Sequence, residues 1–79
     1  MKIIDKIDKF LYEKEYKILI KKNEINIVNY DEIIDFSLTK ISLKYNGKLI
    51  IIEGKNLIIS KMVDNEVLIT GNITNISIN

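Results

Sequence analysis

From Tyr16 to the end of the chain, apolar residues recur at every second position, in short runs separated by polar turn signals. Tyr16, Ile18 and Ile20 alternate with Lys17, Leu19 and Lys21. Lys22-Asn23-Glu24 then breaks the run, and Ile25 and Ile27 begin another that ends near Asn29-Tyr30-Asp31. Ile34, Phe36 and Leu38 alternate next, followed by Ile41, Leu43 and Tyr45. A period of two points one face of a strand at a core and the other toward solvent. Asn46-Gly47 supplies the two positive-φ positions of a type I′ turn, so the strand 41–45 folds directly back on Leu49-Ile50-Ile51-Ile52. That turn sets Tyr45 opposite Lys48, Leu43 opposite Ile50 and Ile41 opposite Ile52. The face carrying Ile41, Leu43, Ile50 and Ile52 is wholly apolar and must be covered, while Leu49 and Ile51 face the other way beside Ser42 and Lys44.

Further turns are expected at Gly54-Lys55-Asn56, leading into Leu57-Ile58-Ile59, and at Asp64-Asn65, leading into Val67-Leu68-Ile69. Thr70-Gly71-Asn72 reads as a turn or a bulge before Ile73, Ile76 and Ile78. Asn46, Gly47, Gly54 and Gly71 are thus the structural turn residues. Residues 2–14 carry the other period: Ile3, Ile4, Ile7, Phe10 and Leu11 form an i, i+3, i+4, i+7, i+8 stripe, which predicts an amphipathic helix. The expected fold is all-β with one N-terminal helix. It is a single domain over 1–79 with six to eight short strands in a small antiparallel meander, forming a curled sheet, sandwich or barrel.

Composition narrows the chemistry. The 79 residues include 12 Lys against 11 Asp and Glu, with no Arg, His or Cys. Without His or Cys the usual general base, nucleophilic thiolate and commonest zinc ligands are missing. Without Arg there is no bidentate fork for phosphate. The expectation is therefore no enzyme, no catalytic residues, no metal and no cofactor. Asp31, Glu32 and Asp35 form the one acidic cluster of the β region and read as a solvated turn and strand face. Lys14, Lys17, Lys21 and Lys22 are interleaved with Glu13, Glu15 and Glu24, and a net charge of +1 gives no basic footprint for nucleic acid. Tyr12, Tyr16, Tyr30 and Tyr45 read as residues at the rim of a core rather than as base-stacking platforms. No secretory leader and no membrane-spanning run is legible, so a cytoplasmic protein without direct membrane insertion is expected.

Nineteen isoleucines in so short a chain exceed what a core of this size hides easily. Leu49, Ile51 and Ile58, with Val28, fall opposite the best-defined core positions. They are the expected partner-facing residues, toward a second copy or another protein.

The segments from Ile25 to Ser37, Ile41-Ser42-Leu43, Asn46 to Ile59 and Glu66 to Ile76 resemble the YabP/YqfC family of sporulation proteins. Gly54, Leu57 and Ile59 match the G-x-x-L-x-I of its G-x-L-x-I-x-G-x-x-L-x-I core, and Gly47, Leu49 and Ile51 match the G-x-L-x-I before it with one residue added between the two parts. Ile69, Gly71, Ile73 and Ile76 match the following I-x-G-x-I-x-x-I. The N-terminal stretch and the Asn29 region are more similar to the YqfC branch. The resemblance implies a non-enzymatic structural or adaptor protein made during endospore formation in Firmicutes-like bacteria, cytoplasmic and working beside a membrane-bound sporulation partner. A second likeness is to Sm-like RNA-binding barrels, whose Arg-Gly-Asn motif is similar to Thr70-Gly71-Asn72 here. It implies RNA binding, but Thr70 stands in place of the Arg.

Overall fold

A computed structural model describes residues 16–79, and all of their regular structure is β-strand. The strands are β1 (Lys17–Lys21), β2 (Glu24–Val28), β3 (Glu32–Phe36), β4 (Lys40–Tyr45), β5 (Lys48–Val63) and β6 (Glu66–Ile78). The expected fold class is corrected in one respect, because the described residues contain no helix. The helix expected over 2–14 lies outside the described residues. What the chain forms over 16–79 is one curled, six-stranded antiparallel sheet.

The hairpin at Asn46-Gly47 has the register its sequence dictates, with Tyr45↔Lys48, Leu43↔Ile50 and Ile41↔Ile52. Both turn residues have positive φ, 49° at Asn46 and 75° at Gly47, as a type I′ turn requires. One other expectation is corrected, because Gly54 lies inside β5 and not at a turn between strands. Of the turn or bulge expected at Thr70-Gly71-Asn72, the bulge forms, with Gly71 inside β6 at a register slip. Each glycine marks a bend, with the β5–β6 register slipping between Glu53 and Gly54 and again between Lys55 and Ile58. The strands approach so closely there that a Cβ on Gly54 would meet the Asn72 carbonyl oxygen at 2.2 Å. A Cβ on Gly71, whose φ is 141°, would meet the Asn56 oxygen at 2.7 Å. The glycines therefore permit backbone contact through the bend, rather than reversal of the chain.

The sheet order is β1-β2-β6-β5-β4-β3, so the expected simple meander is corrected as well. β3 through β6 do meander, but β6 then pairs with β2 across a long sequence separation. Exchanging β1 with β3, β2 with β4 and β5 with β6 returns the same order, an approximate two-fold within one chain. Register bears this out in detail. Ile25 and Ile27 pair with Ile69 and Val67 in one half, as Ile41 and Leu43 pair with Ile52 and Ile50 in the other. Ile59↔Ile69 answers Ile52↔Ile76, and Ile58↔Thr70 answers Glu53↔Asn75. Even the hydrogen bonds at the bends correspond: Gly71 N donates to Asn23 O at 3.1 Å, and Gly54 N donates to Thr39 O at 3.0 Å.

Each half thus comprises a hairpin (β1–β2 or β3–β4) and one end of the long β5–β6 ribbon. The two apolar faces bury each other in a single cluster of Ile25, Ile27, Ile41, Leu43, Ile50, Ile52, Leu57, Val67 and Ile69, all at most 3% exposed. At about 1.5–3 kcal/mol for each fully buried aliphatic side chain, this cluster is the main force holding the halves together. The chain end is tied in by reciprocal hydrogen bonds between Leu49 and Asn79.

Candidate functional site

The two-fold creates two equivalent grooves, one beside each bend, where the end of an edge strand and its turn lie against the ribbon. In the β3–β4 half the groove holds about 400 Å³ and is lined by Phe36, Ser37, Leu38, Leu57, Ile58 and Ile59. In the β1–β2 half its counterpart holds about 260 Å³ and is lined by Ile20, Lys21, Lys22, Ile73, Thr74, Asn75 and Ile76. Equivalent positions carry different chemistry. Leu38 corresponds to Lys22, Ser37 to Lys21, Phe36 to Ile20 and Ile58 to Asn75. Asn75 spends its amide on Glu53, donating from Nδ2 to Oε1 at 3.2 Å, whereas Ile58 has nothing polar to offer. Phe36 is 67% exposed, Leu38 63% and Ile58 56%. Three large apolar side chains thus surround one groove and remain in water.

The turn between β3 and β4 holds this surface in shape. Ser37 Oγ accepts from the Lys40 amide at 3.0 Å and from the Thr39 amide at 3.3 Å, the local bonding typical of a serine turn. Leu57 N donates to Leu38 O at 2.8 Å, pinning the turn to β5 just past its bend. Leu38 is therefore displayed by a backbone that has little freedom, and its exposure is not a product of fraying.

The residues expected to face a partner are not brought together. Leu49 and Ile51 are half-buried on the outer face of the β3–β4 half, opposite Lys44 and Ser42. Val28 is half-buried on the outer face of the other half, opposite Lys17 and Glu66. Ile58 lies apart from all three, in the apolar groove. Sequence reasoning missed Phe36 and Leu38 as surface residues because their alternation with Ile34 reads as a core-facing strand. The register slips between Ile33 and Asp35, and that bulge takes Ile34 out of the alternation. One signal lay in the sequence: Ile20-Lys21-Lys22 and Phe36-Ser37-Leu38 occupy the same place sixteen residues apart, after Ile18 and Ile33 respectively have packed on the core.

Tyr16 and Tyr45 meet edge to face, with centroids 5.4 Å apart and planes at 79°, so each ring is engaged by the other across the two halves. Burial, and then the Tyr16 phenol, holds the Tyr45 phenol above its ordinary value. Tyr30 packs against the core, and Tyr12 lies outside the described residues. Glu32 pairs with Lys44 at 3.6 Å, and among the described residues no group of three acidic side chains converges as a metal site would require. Thr70-Gly71-Asn72 lies within β6 at its bend, where the Thr70 hydroxyl bonds Ser60 Oγ. No helix among the described residues is long and apolar enough to cross a membrane.

A model of the YabP family matches residues 6–79, nearly the whole chain. No curated protein and no solved structure matches it.

Proposed function

The chain belongs to the YabP family, and on that premise we propose that it is a non-enzymatic structural or adaptor protein of endospore formation, one that docks an apolar segment of a protein partner in the Phe36–Leu38–Ile58 groove. Family membership supports the link to sporulation. One observation carries the docking surface. The same backbone frame accepts Lys22 and Asn75 on one side, so Leu38 and Ile58 are not demanded by folding on the other. An apolar cluster that the fold does not need, held open to water by a pinned turn, is a contact surface. The absence of His, Cys and Arg from the whole sequence supports a role without catalysis.

The finer reading places the protein nearer the YqfC branch, in the cytoplasm of the sporulating cell and beside a membrane-bound sporulation partner. A net charge of +1 without Arg supports protein rather than RNA as the partner.

The test is a pull-down from sporulating cells with the native chain and with Leu38→Lys/Ile58→Asn, which copies the polar groove onto the apolar one. The native chain is expected to retain a discrete protein that the folded variant loses, and a strain carrying the variant should make fewer heat-resistant spores. Recovery of RNA in place of protein, or equal capture by native and variant chains, overturns the reading. Normal heat-resistant spores from a strain lacking the gene count against the sporulation role.

A further inference from the structure

The two edges of the sheet are opposite in charge, and among the described residues both are unpaired. β1 pairs with β2 alone and β3 with β4 alone, so each presents an open row of backbone donors and acceptors. Such edges template the addition of another strand unless something forbids it. On β1 and its turn stand Lys17, Lys21 and Lys22, all exposed. On β3 and its approach stand Asp31, Glu32 and Asp35, also all exposed. Under the internal two-fold Lys17, opposite Val28, corresponds to Glu32, opposite Lys44, so that one position is basic at one end of the sheet and acidic at the other.

The charges share a face. Lys17 and Lys21 lie opposite Val28 and Glu24 on the outer side of the β1–β2 half. Glu32 and Asp35 lie opposite Lys44 and Ser42 on the outer side of the other. Two of them are engaged within the chain, Lys21 with Glu24 at 3.7 Å and Glu32 with Lys44 at 3.6 Å. Both pairs are solvent-exposed and weakly held. Lys17, Lys22, Asp31 and Asp35 form no ion pair among the described residues.

This pattern discriminates between ways of joining two copies. Pairing β1 with β1 opposes lysines to lysines, and pairing β3 with β3 opposes carboxylates to carboxylates. Like charges directly across a strand pair are destabilising and opposite ones are stabilising. Pairing β1 of one copy with β3 of the next opposes unlike charges on one face. Strand direction agrees, because β1 and β3 run antiparallel at the two ends of the six-stranded order. Repeating the sheet edge to edge therefore makes an antiparallel junction with the same face outward at every step.

We infer that the occupant of each sheet edge is a second copy of this chain, joined head to tail through β1 and β3 into an open-ended or ring-shaped assembly. A heterologous interface of this kind does not close at a dimer. The charges thus block isologous pairs and admit the directional one. The junction is separate from the Phe36–Leu38–Ile58 groove, and its failure leaves the docking reading untouched.

Charge reversal with rescue tests it, on the full chain by multi-angle light scattering at high micromolar concentration. In about 50 mM salt the native chain is expected to form species beyond the dimer of its 9.2 kDa chain. These should fall back to monomer near 0.5 M salt, where the screening length has dropped several-fold. Lys17→Glu/Lys21→Glu leaves both edges acidic, and Glu32→Lys/Asp35→Lys leaves both basic. Each variant alone should be monomeric. An equimolar mixture should recover the native mass distribution, since every acidic edge then finds a basic one. A native chain that stays monomeric in low salt, single variants that assemble as well as the native chain, or a mixture that stays monomeric would each overturn the proposal.

Discussion

The β1–β2 half and the β3–β4 half share a plan and differ in surface. Inside, they are near copies: Ile25 and Ile27 do in one what Ile41 and Leu43 do in the other, and all are buried. Outside, Lys21, Lys22 and Asn75 stand where the other half has Ser37, Leu38 and Ile58. Equivalence in the core shows which residues the fold requires. Divergence at equivalent surface positions shows which it leaves free, and what is free is available to function. Equivalent positions thus separate the hydrophobics that the fold requires from those, such as Leu38 and Ile58, that it leaves free, which burial or hydropathy alone would not do.

The hardest blow to the shared plan falls at the bends. Gly54→Ala drives a methyl into the Asn72 carbonyl, and Gly71→Ala adds a left-handed backbone to its clash with Asn56. Overpacking puts the expected loss at Gly54 at about 1–3 kcal/mol, and added backbone strain raises it to about 2–5 kcal/mol at Gly71, a large part of the stability of a domain this small. Urea denaturation measures it, and a loss under about 0.5 kcal/mol at either site would show that the close crossing of β5 and β6 is not rigid.

Core truncation tests the equivalence itself. Ile25→Ala and Ile41→Ala remove the same group from matched positions, and each should cost about 2–5 kcal/mol. If the halves are energetically equivalent, the two losses agree to within roughly 1 kcal/mol, inside the spread among Leu and Ile truncations. A wide disparity would mean that one half is the stable unit and the other leans on it.

Exchange of the grooves sharpens the functional side. Leu38→Lys/Ile58→Asn should change stability by less than about 1 kcal/mol, because these side chains are exposed and their replacements already occupy matched sites. The reciprocal change, Lys22→Leu/Asn75→Ile, installs a second apolar groove and is expected to raise the amount of partner captured per chain. Loss of folding in the first variant would mean that Leu38 and Ile58 are structural after all.

The smallest effect lies where the halves touch through Tyr16 and Tyr45. Replacing Tyr16 by Ala removes an aromatic pair worth about 0.5–1.5 kcal/mol beyond its area. The Tyr45 phenol is held above its ordinary value of 10 in the fold, by burial first. Below that value both folded and unfolded chains keep the phenol neutral, and stability is unaffected. As pH rises past it the unfolded chain ionises first, so stability falls until the folded phenol ionises too. Thermal melts across this alkaline range should show the decline in the native chain and a shallower one in Tyr45→Phe.

Much of this molecule was local and therefore legible. Asn46-Gly47 fixes a hairpin because two adjacent residues tolerate positive φ, and the register of six residues on either side follows from it. The core residues of β4 and the first part of β5 are readable from the same alternation. Family membership was legible too, since the spacing of Gly54, Leu57 and Ile59 and of Ile69, Gly71, Ile73 and Ile76 is a property of the sequence alone. Gly54 and Gly71 themselves were conspicuous, but whether such a glycine turns a chain or lets another strand approach depends on what lies beside it.

Tertiary structure decided what depends on distant partners. β6 lies between β2 and β5, a choice made by pairings between residues about forty positions apart, for which no local signal exists. That choice joins apparent short strands into a continuous ribbon, creates the two-fold, and leaves β1 and β3 as the sheet's edges among the described residues. It also sets Ile58 beside Phe36 and Leu38, away from Leu49 and Ile51. Alternation along a strand says which side chains share a face, because that period is built into the backbone. Which face meets which, and which edge stays open, is settled by burying both apolar faces at once.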